Sequence, residues 1–351
     1  MIRTFSSTIR RREMDAVLTC MVDEKIGPGE LNVKLIQTVK ESLGCDGAVA
    51  LRSPAVALSN ALRALGLESG ASVMLSALAP VWHYTTVVSL GFSPLVLDVD
   101  ESTGLVIVDG VENGINNGGK VLLLHETMGI MPEIEKIMAF NIPVIEDISQ
   151  SYGAVVPLLQ PQENGSTEKL AGTFGIYAIL GLEEFDTITA GGGAILLSAS
   201  RAGWSSLKDI LEDIPSIDVL PDINSALAWV QIKEFKRNEQ SRKELFAMFQ
   251  HSLSGSKNKT FLRGLDAEST IWSFPVVLNC SFKDAKQYAA RKEIEILPAY
   301  DKTVIAAHEE ELSESCIHAK SLYLRCVLFP LYPRLGSEAA NKISKVLGSL
   351  P

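Results

Sequence analysis

VIEDISQSYGA (residues 144–154) and the nearby AGTFG (residues 171–175) decide how this chain is read. In the first stretch an apolar run, IPVIED, stops on two carboxylates and gives way to polar and small residues, the pattern of a strand that ends at a loop. Runs of the same kind flank it: SVMLSAL (72–78), PLVLDV (94–99), KVLLLH (120–125), IYAIL (176–180) and AILLS (194–198). Helical segments near 81–91 and 132–140 separate some of them. Such alternation predicts crossover units and a mixed, mostly parallel sheet covered on both faces. Ligands of open sheets sit at the carboxyl ends of the strands, which singles out His125 and Asp147.

Towards the N-terminus, residues 14–65 read as helical, with apolar-periodic stretches Met14 to Val22, Leu31 to Leu43 and Val56 to Leu65. Gly27 to Gly29 and Gly47 to Ser53 separate them. Ser53 stands at an N-cap position and Pro54 at the first helical position, where its missing N–H does no harm. Residues 1–13 read as a surface arm, and Gly114 to Gly119 as a polar loop. Towards the C-terminus, a long amphipathic helix is expected from Asp222 to Leu253. Beyond it STIWSFPVVLN (269–279), helices near 282–291 and 336–348, and the Pro-bounded LFPLYPRL (328–335) suggest a small α+β unit. The expected division is a large α/β domain (1–221), a connecting helix (222–254) and a small C-terminal domain (255–351).

Composition narrows the function classes. Of the 351 residues 46% are hydrophobic and 21% charged, which fits a chain with a large core and excludes disorder. The net charge of -10, without a basic stripe, argues against nucleic acid as a ligand. No apolar run reaches membrane-spanning length and no secretory leader is evident, so no membrane partner and a cytoplasmic location are expected. The five cysteines form no CxxC pair and read as reduced thiols. Cys316 and His318 read as an ordinary helix-surface pair, and no metal site is expected.

The common dinucleotide, nucleotide, acyl-transfer and metal-hydrolase fingerprints are absent. Taken in order, however, LRALGLESGASVMLSAL, GFSPLVLDVD, LLLHETMG, VIEDISQSYGA, AGTFG and AGGGAILLS resemble the DegT/DnrJ/StrS family of nucleotide-sugar aminotransferases. ALAWVQIKEF and LFPLYPRLGSEAANKISKVL extend the likeness to the far end. The resemblance implies the aspartate-aminotransferase fold of pyridoxal-phosphate (PLP) enzymes, with a homodimer whose sites span the twofold interface, and a nucleotide-sugar ligand. In that family the aspartate of VIED pairs with the pyridine nitrogen and a glutamine three positions later lies against the ring's phenolic side. Asp147 and Gln150 match them. The family's HxYG segment is matched loosely: its histidine falls at Glu126, with His125 one residue early, and Met128 replaces tyrosine.

The family's Schiff-base lysine lies between the GTFG turn and the glycine turn that follows. Here that stretch reads GTFGIYAILGLEEFDTITAGGGAILL (172–197), which puts Phe185 at the lysine position, with Glu184 or Asp186 the only alternatives. No lysine occurs between Lys169 and Lys208. The Gly-Thr pair that cradles the phosphate at a helix start is Pro54-Ala55, which removes one N–H and one hydroxyl. The serine before the lysine falls at Leu180, the ring-stacking aromatic at Pro80, and the partner subunit's Asn and Arg at about Ile217 and Val219.

These departures lead to expectations that the fold can address. No tightly bound cofactor is expected, with PLP or its aminated form PMP the only candidates. No residue is assigned as catalytic. Asp147 and Gln150 are expected to satisfy loop N–H groups at a buried strand end, and His125 to be a satisfied core histidine. Glu183-Glu184 reads as a solvated loop pair, Trp82-His83-Tyr84 as helix packing, and Gly191 to Gly193 as a tight turn. The cleft around Asp147, Gln150, His125 and Phe185 is expected to persist, narrowed by Pro80, Leu180 and Phe185. The chain is expected to act as a binding or assembly protein. The alternative is a sugar-modifying PLP/PMP-dependent enzyme, aminotransferase or dehydratase-like, that works without a Schiff base to the protein and uses Glu184, His83 or His125 as base.

Overall fold

Strands rich in Val, Ile, Leu and Ala alternate with amphipathic helices through the first two thirds of the chain, and this pattern builds the layers that hold the site. The structure is a computed structural model describing residues 1–161, 165–262 and 269–351. Residues 263–268, within the expected C-terminal domain, lie outside the described residues. In chain order the elements are α1 (Arg11–Val22), α2 (Glu30–Leu43), β1 (Gly47–Leu51), α3 (Pro54–Ala64), β2 (Ser72–Ser76), α4 (Val81–Ser89), β3 (Ser93–Leu97), α5 (Val108–Asn116), β4 (Gly119–His125), α6 (Ile134–Met138) and β5 (Val144–Asp147). There follow β6 (Val155–Pro157), β7 (Glu168–Leu170), β8 (Tyr177–Gly181), β9 (Ala194–Ser198), α7 (Arg201–Leu211) and α8 (Asp222–Leu253). The last third holds β10 (Phe274–Val277), α9 (Phe282–Arg291), β11 (Leu297–Pro298), α10 (Val304–Ala307), α11 (Glu309–Leu312), α12 (Ile317–Arg325), β12 (Cys326–Phe329) and α13 (Ser337–Gly348).

Seven strands form the main sheet in the order β1-β9-β8-β5-β4-β2-β3. The pairs β3/β2, β2/β4, β4/β5 and β5/β8 are parallel, whereas β9 runs antiparallel to both β8 and β1. His125 is opposite Asp147 in the β4/β5 register, so the two predicted site residues end neighbouring strands. Alternate residues on β8 serve opposite faces: Tyr177 and Ile179 join a core with α3, while Ala178 and Leu180 join one with α2 and α8. A second sheet, β10-β12-β11, packs with α9, α13 and the end of α8 around Phe249, Phe274 and Phe329.

Several expectations need correction. Gly47 to Ser53 is not simply a helix separator, because it contains β1, paired residue for residue with β9. Its five residues are mostly small and buried, and they become a strand only because β9 offers an edge. Gly114 lies inside α5, not in a loop, and is packed so close to β2 that a Cβ there would sit 2.5 Å from Met74 Sδ. The N-terminal arm is docked: Ile2 bridges to Ile294, the Thr4 amide donates to Glu295, and Thr4 and Thr8 are buried. Cys316 is fully buried at the start of α12, in a cluster with Ile305 and Leu322, whereas His318 faces out to Asp98. The helix start at residue 53 is as read, with Ser53 Oγ accepting the Val56 amide at 3.2 Å.

Candidate functional site

Two strand ends and one helix converge on Asp147. β5 ends there, β4 ends at His125, and the first turn of α4 brings His83 in from the side. Asp147 is fully buried. Its Oδ2 accepts from His83 Nε2 at 2.9 Å and from His125 Nδ1 at 2.8 Å. Its Oδ1 accepts the Ser149 amide at 3.1 Å and the Ser149 hydroxyl. An ionised carboxylate has about four lone-pair positions, so the protein's own donors use them all. Burial alone would push this carboxyl up, but His125 and His83 outweigh it and hold Asp147 well below the usual carboxylate range. Burial pushes the His83 imidazole down despite Asp147, so His83 is neutral.

These hydrogen bonds fix the tautomers, because an ionised carboxylate only accepts. His125 Nδ1 and His83 Nε2 carry protons, which leaves His83 Nδ1 a buried lone pair with no partner among the described residues. One ligand atom from each of His83, His125 and Asp147 lies within 4.8 Å of the other two, a spacing that could hold a metal ion, and the nitrogens that face Asp147 are His83 Nε2 and His125 Nδ1. Ligation through those nitrogens would move the His83 proton to Nδ1 and bury a donor without an acceptor, where metal-bound imidazoles normally have one. The geometry favours the hydrogen-bonded network.

A second buried carboxylate explains why VIED and GTFG occur together. Glu146 accepts the amides of Gly172 (2.9 Å), Phe174 (2.8 Å) and Gly175 (2.6 Å), tying the turn onto β5. Glu126 accepts the Ser151 hydroxyl beside it. Burial, together with the charge of Glu146, pushes Glu126 well up. Nothing in the residue pattern alone marks Glu146 as the turn's anchor. Gln150 Oε1 accepts the Met128 amide at 2.6 Å, which supports the loop-satisfying role read for it.

A cavity of about 380 Å³ opens above these residues. His125, Met128 and Gln150 line its sheet side, Pro80 and Trp82 contribute from α4, and the segment from Leu297 to Thr303 closes the opposite wall. Phe185 and Asp186 form part of its rim. Phe185 is 41% exposed and its ring lies 4.8 Å from that of Phe5. Trp272 Nε1 donates to the Phe185 carbonyl at 2.6 Å, and Lys302 Nζ lies 5.8 Å from the Phe185 ring. Asp186 accepts the Glu183 amide at 2.8 Å, and burial, with the charges of Asp147 and Glu183, pushes its carboxyl up to about 8.

The predicted residues therefore separate into two groups. His125, Gln150, Phe185 and Pro80 line one cavity, Asp147 is hydrogen-bonded to His125, and Glu183-Glu184 is exposed as read. Leu180 does not narrow the cavity. It is fully buried on the other face of β8, paired with Ile195, because strand alternation turns it away. Pro54 and Ala55 are not among the cavity's lining residues. His83 does more than pack its helix, since it reaches Asp147, and Asp186 proves to be the acidic group at the rim. The sequence signal for both was present only as position: His83 in the first turn of the helix after β2, and Asp186 next to Phe185.

A model of the DegT/DnrJ/EryC1/StrS aminotransferase family matches residues 7–209 and 218–348. The chain belongs to that family. Solved structures agree on the fold at low identity. The aminotransferase TlmJ from Streptoalloteichus hindustanus superposes with a TM-score of 0.87 at 16% identity, covering 99% of this chain and 98% of that one. The sugar aminotransferase CalS13 from Micromonospora echinospora gives 0.83 at 15% identity, covering 99% and 100%. A GDP-4-keto-6-deoxymannose-3-dehydratase with bound GDP-perosamine gives 0.84 at 15%, again covering 99% and 100%. The expected family and its mixed α/β fold are thus present in this chain, and the proteins that share the fold include sugar aminotransferases and a sugar dehydratase.

Proposed function

We propose that this chain has lost pyridoxal-dependent transamination and works as a binding or assembly protein whose cavity takes a sugar-like ligand. The observation that carries this reading is the state of Asp147. In the family's chemistry that carboxylate must accept from the pyridinium nitrogen. Here His83, His125 and Ser149 use every acceptor position it has, and the cavity is lined by His125 but not by Asp147 itself. Phe185 in place of the lysine removes the covalent attachment and the proton shuttle together. At the start of α3, Pro54 has no N–H, Ala55 has no hydroxyl, and Ser53 Oγ already takes the Val56 amide. The residues present do not fit the cofactor.

Each lost hydrogen bond to a charged group is worth about 1.5–3 kcal/mol, so several losses weaken cofactor binding by many powers of ten. The aromatic walls (Trp82, Phe185, Trp272 and Tyr300) suit the C–H faces of a sugar ring, and Gln150 suits hydroxyl groups. The reading is tested by incubating the purified chain with PLP and an amino donor, then reducing with borohydride and weighing the intact protein. No lysine adduct and no keto product are expected. Transamination that disappears in Asp147→Ala would overturn the reading.

A further inference from the structure

The cavity holds a base and an acid that the pyridoxal reading leaves unused. His125 Nδ1 donates to Asp147, and the ring lines the cavity. Its Nε2 has no hydrogen-bond partner among the described residues and is not one of the buried orphaned atoms, so it is the nitrogen that meets the cavity. With Nδ1 protonated and held, a neutral ring presents a lone pair there. A carboxylate that orients an imidazole in this way also stabilises the imidazolium formed when Nε2 takes a proton. His83, on the same Asp147 oxygen with its ring at right angles to that of His125, limits rotation of the pair. At the rim, Asp186 is anchored by the Glu183 amide and lies against Gly181, where an added Cβ would come within 2.3 Å of Asp186 Oδ2 and 2.6 Å of Ser149 Oγ.

We propose that this cavity catalyses cofactor-free proton transfer next to the carbonyl of a neutral polyhydroxy aldehyde or ketone, with His125 Nε2 as base and the Asp186 carboxyl group as acid. Burial and the neighbouring carboxylates keep Asp186 protonated at neutral pH, as an acid requires. His125 takes a proton from the carbon beside the carbonyl, the C–H electrons form a C=C bond, and the carbonyl π electrons move to oxygen. That oxygen receives the Asp186 proton. The enediol then collapses in reverse on either carbon: a hydroxyl returns its proton to Asp186 and imidazolium protonates carbon. No oxidant, reductant or metal is needed. Neutral ligands are favoured because the lining offers two carboxylates, Glu183 and Asp301, against the single ammonium of Lys302. The proposal rests on the loss of pyridoxal chemistry argued above, and it makes the cavity reactive instead of passive.

The test uses the full chain, freed of any pyridoxal compound, in D₂O with dihydroxyacetone and with D-fructose, and follows loss of the α C–H proton signals by NMR. Exchange above that of free imidazole at the same concentration and pH is expected. His125→Gln should lower it at least about 100-fold, and Asp186→Asn should lower it with the His125–Asp147 pair intact. Long-range ¹⁵N–¹H spectra of the imidazoles should show a protonated Nδ1 and a bare Nε2 at His125, even if a variant folds poorly. Wild-type protein that exchanges neither probe, or a His125 protonated on Nε2 alone, would overturn the proposal. A PLP adduct on a lysine would instead defeat the reading beneath it, and exchange by cofactor-free protein would survive that result.

Discussion

At the residue scale, the site turns on which atoms already have partners. Asp147 is fully buried, and its oxygens serve His83, His125 and Ser149. Asp147→Asn places an amide NH₂ against groups that all donate, so the variant should lose about 3–5 kcal/mol of stability in urea unfolding at pH 7. The sign with pH follows from the depressed folded value. The Asp147 contribution is complete above the ordinary Asp pKa of about 3.9 and is lost progressively as pH falls below it. Wild-type stability should fall through that acid range more steeply than that of Asp147→Asn. Asp186 behaves in the opposite way. Its carboxyl is pushed up to about 8, so between the ordinary Asp value and 8 the folded state holds a proton that the unfolded state has released. Stability therefore declines with rising pH across that window and levels off above it. Asp186→Asn should unfold at higher urea than wild type at pH 8 and nearly match it at pH 4. A gain equal at both pH values would refute the assignment.

At the element scale, the short strand β1 shows how pairing can override local pattern. Its sequence GAVAL carries no alternation, but its five residues pair with β9 while α7 packs from one side. Gly47 is where that packing is tightest: a Cβ there would lie 1.8 Å from a Trp204 ring atom. Gly47→Ala must push the indole of α7 off the strand and should cost about 1–3 kcal/mol, seen as a lower thermal midpoint with a shifted Trp emission. Unchanged melting would mean that α7 moves without resistance. Gly129 has a related role in the loop after β4, with φ +72° and a virtual Cβ only 2.1 Å from the Thr270 carbonyl. That close approach joins the loop over Gln150 to the segment leading to Trp272, and so fixes one cavity wall.

At the scale of the whole molecule, α1 presents an apolar stripe outward. Met14, Leu18 and Met21, at helical spacing, are each about half exposed, although α1 buries its opposite side against α8. The family resemblance implies a twofold dimer, and this stripe is where we place part of its contact. Light scattering after gel filtration should give twice the 38.0 kDa chain mass at micromolar concentration. Leu18→Lys should shift the protein towards monomer while leaving its far-UV spectrum unchanged. A wild-type monomer would remove the dimer from the account.

The family, the layered α/β fold, five of the six β-rich runs as parallel strands, and the full extent of α8 were legible in the sequence, because period-2 and period-3.6 apolar patterns report burial directly. So was the absence of any lysine between Lys169 and Lys208, which needs only residue order. β1 was not legible, because its mostly small residues acquire strand geometry only from the edge of β9. Nor was the direction of Leu180, which strand alternation sends into the core behind the site. The hydrogen bonds that close Asp147 come from residues 64 and 22 positions away, on an α-helix and on a neighbouring strand. Only the packing of α4 against the sheet brings His83 to the oxygen that His125 also uses. Sequence determined that the stretch between Lys169 and Lys208 holds no lysine; tertiary structure decided what Asp147 does, because a carboxylate's role depends on which donors lie within hydrogen-bond distance of it, and chain order does not specify that distance.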